Sequence, residues 1–192
     1  MTYSPRPASP SASPSAGAAA RYTGAMPLSV PFADPAANEF LASLESRSGR
    51  PNHFFRTMAH RPEVLKSFVP LYGAIMGPGV VERRTKELVY LTCSFANQCA
   101  YCLSAHLASG RKAGVTEDEM TAIREARNEG FSPSEQAAIS YARELTRSAN
   151  GQTSGDGLPA HFSAEQIVEI TLIAAMANFT NRFNNGLGVM PE

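Results

Sequence analysis

The sequence predicts an all-α fold. Apolar residues recur at helical spacing through most of the chain, and helix-capping residues separate the apolar runs. No stretch shows the sustained apolar and polar alternation, bounded by hairpin turns, that would indicate a sheet. At 192 residues the chain can form one domain with a sizeable core, but it is short for two.

Composition excludes several classes of function. The 17 Lys and Arg residues balance 17 Asp and Glu residues, which argues against nucleic acid as the main partner. No apolar run approaches the length needed to span a bilayer, and the N-terminus lacks the apolar core of a secretory signal. We therefore expect a soluble, cytoplasmic protein that makes no membrane contact.

The N-terminal residues differ in composition from the rest of the chain. Residues 1–27 are rich in Ser, Pro and Ala and contain no acidic residue. Such a segment cannot bury enough apolar surface to offset its ordering entropy, so we expect a disordered tail. A transit peptide fits the composition, but the frequent prolines would break its amphipathic helix. Residues 28–192 are expected to form the helical domain.

The predicted helices share two boundary signals, a capping residue or proline at the start and a glycine or polar break at the end. They are expected at about 34–49, in a short turn after Asn52, and at 62–77, 81–96, 99–112, 116–130, 132–149 and 163–183. Thr116–Glu119 and Ser132–Glu135 have the pattern of a capping box. Residues 150–159 are expected to form a loop, and Asn184 to Gly186 should close the last helix. That last helix is apolar on most of its circumference, so it is either central in the fold or shared with another subunit.

One stretch, Glu87 to His106, carries most of the residues with chemical potential. It holds all three cysteines of the chain. Cys99, Cys102 and His106 have the spacing i, i+3, i+7, which places them on one face of a helix. Glu87 lies on the preceding helix, and an antiparallel return of the chain would bring it beside His106.

A dithiol beside an imidazole and a carboxylate can perform thiol chemistry. A thiolate is the nucleophile, and a helix N-terminus lowers the pKa of a nearby thiol. On this argument alone, Cys99 should have the lower pKa of the two, because it is nearer the helix start. Spacing of three lets the two sulfurs reach disulfide geometry. His106 can hold or pass a proton, and Glu87 can orient the imidazole, which is the usual arrangement around an activated nucleophile.

Two other interpretations of this stretch stay open. The CxxC could be a pair of small buried thiols that serve only as core. Alternatively, Cys99, Cys102 and His106 could bind zinc, with Glu87 or water as fourth ligand, although no second CxxC or HxxxH is present. Cys93 lies in mid-helix and is expected in the core. The remaining histidines, His53, His60 and His161, are expected to be surface or capping residues.

The spacing Glu-x11-Cys-x2-Cys-x3-His resembles the signature of the AhpD-like alkylhydroperoxidase family, within the carboxymuconolactone decarboxylase superfamily. The resemblance extends over about residues 34–189 and is closest to the peroxidase-related branch. It implies an AhpD-like multi-helix fold with the CxxC at a helix N-terminus. It also implies a homo-oligomer, trimeric or hexameric, that acts as a thiol-dependent peroxidase on organic hydroperoxides.

The resemblance assigns a role to each residue of the motif. Cys102 would attack the peroxide and Cys99 would resolve the sulfenic acid into a redox-active disulfide. Glu87 would be the base, acting through a proton relay that includes His106. Tyr101 stands where known members carry a relay histidine, and a phenol is a poor relay at neutral pH, so activity is expected to be weaker or redirected. The resemblance implies a dithiol reductant, such as a lipoyl carrier protein, and no cofactor or metal.

Two competing functions come from different classes. A non-redox enzyme of the carboxymuconolactone decarboxylase type is one, but those relatives generally lack the CxxC. The other is an oligomeric redox-sensing module whose disulfide changes assembly instead of turning over peroxide.

Overall fold

A computed structural model describes residues 30–149 and 157–192. These residues form eight α-helices after a short 3₁₀ turn, and they contain no β-strand, so the all-α prediction is confirmed. The helices are α1 (Glu39–Ser48), α2 (His53–Met58), α3 (Pro62–Met76), α4 (Arg83–Ala96), α5 (Ala100–Lys112), α6 (Glu117–Arg124), α7 (Pro133–Ser148) and α8 (Ala164–Leu187). The predicted tail, residues 1–27, lies outside the described residues, as does most of the predicted loop, residues 150–156.

Local capping chemistry sets the starts of the later helices. The predicted capping boxes at Thr116 and Ser132 are both formed, with each N-cap side chain and its N3 glutamate satisfying each other's backbone N–H groups. Ser163 and Gln166 make a third box at the start of α8. Each box pairs backbone donors that the first turn of a helix leaves without an intrahelical partner.

The first helix begins later than the sequence predicts. Asp34 caps only the 3₁₀ turn Pro35–Ala37, and Asn38 then returns to an extended conformation with φ of −145°. The side chain of Asn38 accepts from the Leu41 N–H at 3.0 Å, so Asn38 is the true N-cap of α1. The Asp-Pro pair therefore marks a turn that precedes the helix.

Two helix ends also differ from the prediction. α6 ends at Arg124, before the expected end near residue 130, because Ala126 adopts a left-handed conformation with φ of 60°. α8 continues through Asn184–Gly186 to Leu187 and ends at Gly188, which has φ of 62°. The Asn184 and Asn185 side chains bond to other parts of the molecule instead of interrupting their own helix.

α4 is the central helix of the fold. Its residues Thr85 to Ser94 are all buried, and α5, α6, α7 and α8 pack around it. α8 buries one face against α3, α4, α5 and α7 and leaves three large apolar side chains exposed. They are Val168, Leu172 and Phe179.

A buried ion pair fixes the connection between α3 and α4 against α8. Lys86 is 1% exposed, and its ammonium group donates to Glu169 and to the carbonyl of Gly77, the latter at 2.7 Å. Glu169 also accepts from the N–H groups of Val80 and Val81 at 2.8 and 2.9 Å. Because every partner is hydrogen-bonded, the two charges can remain inside the molecule. The start of α4 is thereby held in register with α8.

Among the helices the structure describes, none is both long and apolar enough to cross a membrane.

Candidate active site

The two cysteines of the CxxC lie at the start of α5. Cys99 is the N-cap, and its sulfur accepts from the Cys102 N–H at 3.3 Å. Both thiols are free and buried, and their sulfur atoms are 2.7 Å apart. The predicted helix start at Cys99 is confirmed, and the motif brings the two sulfurs face to face.

Hydrogen bonds to Cys102 distinguish the two thiols. Donation from the Cys99 thiol is the main cause that lowers the pKa of Cys102 to about 7, against the opposing effect of burial. The Asn184 amide, 3.3 Å from the Cys102 sulfur, and the Thr180 hydroxyl, 4.0 Å away, add to this effect. The pKa of Cys99 is raised because its proton is held in the bond to Cys102 and because it is buried. The expectation that the helix dipole favours Cys99 is therefore wrong, since the two thiols share the helix terminus and the Cys99 thiol donates its proton to Cys102.

Glu87 and His106 meet across the α4–α5 pair. His106 Nδ1 lies 2.7 Å from Glu87 Oε2, and both side chains are buried. Arg83 Nη2 forms an ion pair with the other oxygen of Glu87, Oε1, at 2.5 Å, but the angle between the two groups does not meet the geometry of a hydrogen bond. The antiparallel return that the sequence suggests is present. It gives the imidazole a fixed orientation and a carboxylate that stabilises a positive charge on it.

Two tyrosines that the sequence analysis does not single out complete the surroundings of His106. The Tyr72 hydroxyl lies 3.1 Å from His106 Nε2. The Tyr90 ring stacks on the imidazole with centroids 3.5 Å apart, and its hydroxyl bonds to Thr180 Oγ1 at 2.5 Å. Burial raises the pKa of both phenols, with the Glu87 carboxylate contributing at Tyr72, so both stay protonated. In the tautomer of the neutral imidazole that carries its hydrogen on Nδ1, this nitrogen donates to Glu87 and the Tyr72 hydroxyl donates to Nε2.

Tyr101, the predicted relay candidate, lines the same cavity as Cys102 and His106, but its hydroxyl is hydrogen-bonded to neither of them. Its hydroxyl lies 3.4 Å from Glu192 Oε1, and no described residue of the Glu87, His106 and thiol cluster is bonded to it. Burial, followed by the Glu192 charge, raises its pKa. The phenol whose hydroxyl bonds to His106 is instead Tyr72, from α3. No sequence signal marks Tyr72 for this role, because it sits inside an apolar helical stripe.

An aromatic cavity of about 160 Å³ opens onto Cys102. His106 also lies in its wall, whereas Cys99 does not. The complete lining is Asn52, Phe54, Phe55, Phe68, Tyr72, Tyr90, Tyr101, Cys102, Ala105, His106, Thr180 and Asn184. None of these is an acid, a lysine or an arginine, so the cavity suits a small and largely apolar molecule.

Cys93 and the other histidines take no part in this site. Cys93 is fully buried 3.9 Å from carbonyl oxygens of α7 and α8, and burial raises its pKa to about 12. His53 bonds to the Met190 carbonyl at 3.0 Å, and His60 bonds to the Pro31 carbonyl at 2.6 Å. The part of the chain that the structure describes has no cluster of three or more His, Cys, Asp or Glu arranged to hold a metal ion. His106, which the zinc alternative needs as a ligand, has both ring nitrogens hydrogen-bonded, to Tyr72 and to Glu87.

Comparison with known proteins identifies the family. The model of the carboxymuconolactone decarboxylase family matches residues 62–144. The uncharacterized protein YdfG of Bacillus subtilis (strain 168) is 30% identical over an alignment of 113 residues, and the match covers 56% of this chain and 76% of that protein.

Solved structures that share the fold include an AhpD-like protein and a debrominase. The alkylhydroperoxidase AhpD core of a peroxidase-related protein from Ralstonia eutropha JMP134 superposes with a TM-score of 0.73, at 24% identity, over 85% of this chain and 91% of that one. The debrominase Bmp8 superposes with a TM-score of 0.74, at 22% identity, over 87% of this chain and 94% of that one. A form of Bmp8 in which one cysteine is replaced by alanine has been solved in complex with 2,3,4-tribromopyrrole. With the family match and the all-α fold together, this chain belongs to the carboxymuconolactone decarboxylase family and has the AhpD-like fold.

Proposed function

We propose that the protein is a thiol-dependent peroxidase that reduces organic hydroperoxides through a dithiol and disulfide cycle of Cys102 and Cys99. The observation that carries the proposal is the position of Cys102, a thiol of lowered pKa in the wall of an aromatic cavity. A second thiol stands directly behind it, outside the cavity. This is the arrangement that an attacking and a resolving cysteine require.

The cycle balances in three steps. The Cys102 thiolate attacks one oxygen of the hydroperoxide, the O–O bond breaks, and the released alkoxide takes up a proton to become an alcohol. Cys102 is left as a sulfenic acid, which the Cys99 thiol attacks with loss of water to form the disulfide. A dithiol reductant then supplies two electrons and two protons, and it leaves as its own disulfide. A lipoyl carrier protein is the reductant that we propose.

The Glu87, His106 and Tyr72 group supplies the proton transfer in this proposal. In this proposal the Cys102 proton reaches His106 Nε2 through the Tyr72 hydroxyl, which bonds to Nε2 and lines the same cavity as Cys102. Glu87 stabilises the resulting imidazolium. The same proton returns to the leaving alkoxide. Tyr72 lines the cavity and stays protonated, so it transfers protons by exchanging hydrogen bonds and need not ionise. A phenol can then serve as the relay group, because the relay does not require the phenol to ionise at neutral pH.

We also propose that the chain assembles as a homo-oligomer through the exposed apolar face of α8. Val168, Leu172 and Phe179 leave a hydrophobic strip uncovered on a helix whose opposite face is core. Multi-angle light scattering on the wild type and on Leu172→Glu tests this. A mass above that of one chain that falls to one chain in the variant is expected, and a monomeric wild type contradicts it.

The test of the peroxidase proposal is a thiol count and intact mass after one equivalent of cumene hydroperoxide. The fully reduced wild type should lose two thiols and gain no oxygen. Cys99→Ser should stop at a sulfenic acid that dimedone traps at Cys102, and Cys102→Ser should keep its remaining thiols. If the wild type retains all three thiols, the peroxidase proposal fails. Disulfide formation without turnover by a dithiol reductant would instead favour a redox-sensing module.

Reductive dehalogenation is a second candidate, and the aromatic lining of the cavity is the observation that favours it. The shared fold with a debrominase suggests that the same dithiol could supply the electrons. In that reaction a bromoaromatic and the two thiols give the debrominated ring, hydrogen bromide and the Cys99–Cys102 disulfide. Incubating the reduced protein with 2,3,4-tribromopyrrole and measuring bromide together with thiol loss tests it. One bromide for each two thiols supports this reaction, and no bromide excludes it.

A further inference from the structure

A second cavity lies apart from the thiols. It has a volume of about 180 Å³ and is formed by the C-terminal part of α4, the turn before Cys99, the end of α6 and the second half of α7. Its lining is Thr92, Phe95, Ala96, Gln98, Ile123, Arg124, Ala126, Arg143 and Arg147. No residue is common to this lining and that of the aromatic cavity, so the two are separate sites.

Three arginines line this second cavity, and no described carboxylate neutralises them. The ion pairs among residues 30–149 and 157–192 include none of Arg124, Arg143 and Arg147. Arg143 Nη1 donates to Asn128 Oδ1 at 3.0 Å, but its Nη2 is buried and has no hydrogen-bond partner among the described residues. Burial, and then the charge of Arg147, lowers the pKa of Arg143. A buried donor of a charged group without a partner is costly in a folded protein.

Helix dipoles account for only part of this cluster. Arg124 is the last residue of α6, and Arg147 lies in the last turn of α7, where cations interact favourably with the carbonyl end of a helix. Arg143 lies a turn further from that end, and its buried Nη2 reaches no carbonyl of the described chain. Arg143 is therefore both the arginine whose position the helix dipole does not explain and the one with an unpaired hydrogen-bond donor.

The backbone around the cavity is also unusual. Gln98 and Ala126 both line it, and both adopt left-handed conformations, with φ of 52° and 60°. Residues with a side chain seldom take this conformation, and they keep it only where their surroundings determine it.

We propose that this cavity binds a small, multiply charged oxyanion of the phosphate or carboxylate type. Such an anion would be neutralised by the exposed guanidinium groups of Arg124 and Arg147, and the Arg143 guanidinium would turn toward it so that the buried, unpartnered Nη2 gains an acceptor. Arginine is suited to this because its planar fork matches both phosphate and carboxylate oxygens. The cavity is several times larger than the roughly 30 Å³ that one water occupies, so it has room for an anion of several heavy atoms. This inference does not depend on the thiol chemistry.

The test is the thermal unfolding of the reduced full-length chain in the presence of inorganic phosphate, citrate or chloride at matched ionic strength. A ligand that binds only the folded state raises the Tm in a saturable way. We expect such a rise with phosphate, with citrate or with both, and none with chloride. Phosphate alone would indicate a phosphate ligand, and citrate alone would indicate a carboxylate. Equal effects of all three salts, or no effect, would overturn the proposal.

Matched variants link the effect to the cavity. Arg143→Gln and Arg147→Gln should each lower the apparent affinity for the active anion by about tenfold, the effect of losing one charge-assisted hydrogen bond. Arg147 is exposed, so its replacement keeps the test valid even if Arg143→Gln folds poorly. Arg111→Gln removes an exposed arginine on α5 that pairs with Glu117, and it should leave the affinity unchanged. Equal affinity in all three variants and the wild type would show that the stabilisation does not arise in this cavity.

Discussion

At Cys102, two side-chain donors converge on one sulfur atom. The Cys99 thiol and the Asn184 amide both point to it, and neither bond is visible in the local sequence beyond the CxxC spacing. The helix N-terminus acts on both cysteines, so it cannot separate them. The difference in thiol pKa is therefore a tertiary effect, and part of it depends on a residue 82 positions away.

The first prediction concerns the pH dependence of Cys102. Its alkylation rate by iodoacetamide in the reduced protein should be half-maximal near pH 7. Cys99→Ala removes the main donor, and a hydrogen bond to a charged group contributes about 1.5–3 kcal/mol, so the midpoint should rise by about one to two pH units. Quenched alkylation followed by mass spectrometry measures both. Cys93→Ala is the control and should keep the wild-type midpoint, whereas a midpoint above about 8.5 in the wild type would contradict the lowered pKa.

The same shift has a consequence for stability. Because the folded pKa of Cys102 is below its unfolded value, its contribution is fully present above the unfolded pKa of about 8.5 and is lost as pH falls through about 7. The free energy of unfolding of the reduced wild type, relative to Cys102→Ser, should rise with pH between these values. The raised pKa of Cys99 lowers the free energy of unfolding as pH rises, but only at and above the unfolded thiol pKa of about 8.5.

The second prediction tests Tyr72. Tyr72→Phe keeps the ring in the cavity wall and removes the hydroxyl that bonds to His106 Nε2. Peroxide reduction should slow by about tenfold, less than the full effect of an acid or base because His106 and Glu87 remain. Tyr101→Phe is matched to it, since Tyr101 lines the same cavity but its hydroxyl faces Glu192. Equal rates for the two variants would show that the Tyr72 hydroxyl is not part of proton transfer.

Among the elements, α4 is joined to the starts of α6 and α7 through a single guanidinium group. Arg84 forms ion pairs with Glu119 at 2.5 Å and with Glu135 at 2.7 Å. These glutamates are the N3 residues of the capping boxes of α6 and α7, so each carboxylate both caps its helix and bonds to α4. Arg84 also donates to the Gly114 carbonyl. The starts of two helices are thus joined to the central one.

The third prediction is that Arg84→Gln lowers the free energy of unfolding by about 1.5–3 kcal/mol, because it removes several partly buried hydrogen bonds between charged groups. Urea denaturation measures this. Arg111→Gln breaks an exposed pair with Glu117 and should cost less than about 1 kcal/mol. If the two variants lose the same stability, Arg84 has no special role between the helices.

Helix starts follow from the sequence more reliably than helix ends. A capping box is a local arrangement, and both predicted boxes form as expected. The predicted end of α8 is wrong for a tertiary reason, since Asn184 and Asn185 find partners at Cys102 and Asn97. A polar pair within an apolar helix can therefore mark a functional site as well as a helix end.

For the whole molecule, the fold class and the grouping of the thiols with His106 and Glu87 can be predicted from the sequence. Helical periodicity predicts the all-α fold, and the spacing of Cys102 and His106 places both on the face of α5 that lines the cavity, with Cys99 as the N-cap before them. The cavity cannot be predicted from the sequence, because its wall is formed by residues of five helices, α2, α3, α4, α5 and α8. Tyr72 illustrates the difficulty, since nothing in its own helix distinguishes it from the core residues around it.

The reactivity of Cys93 can report how often α7 and α8 separate from α4. The thiol is packed between carbonyls of α7 and α8, so a reagent can reach it only when these helices separate from α4. In a Cys99→Ser, Cys102→Ser double variant it is the sole cysteine, and its labelling rate under native conditions would measure the free energy of that separation. We expect this value to match the unfolding free energy from urea for the same variant. A much smaller value would show that α7 and α8 come apart from the core while the rest of the chain stays folded.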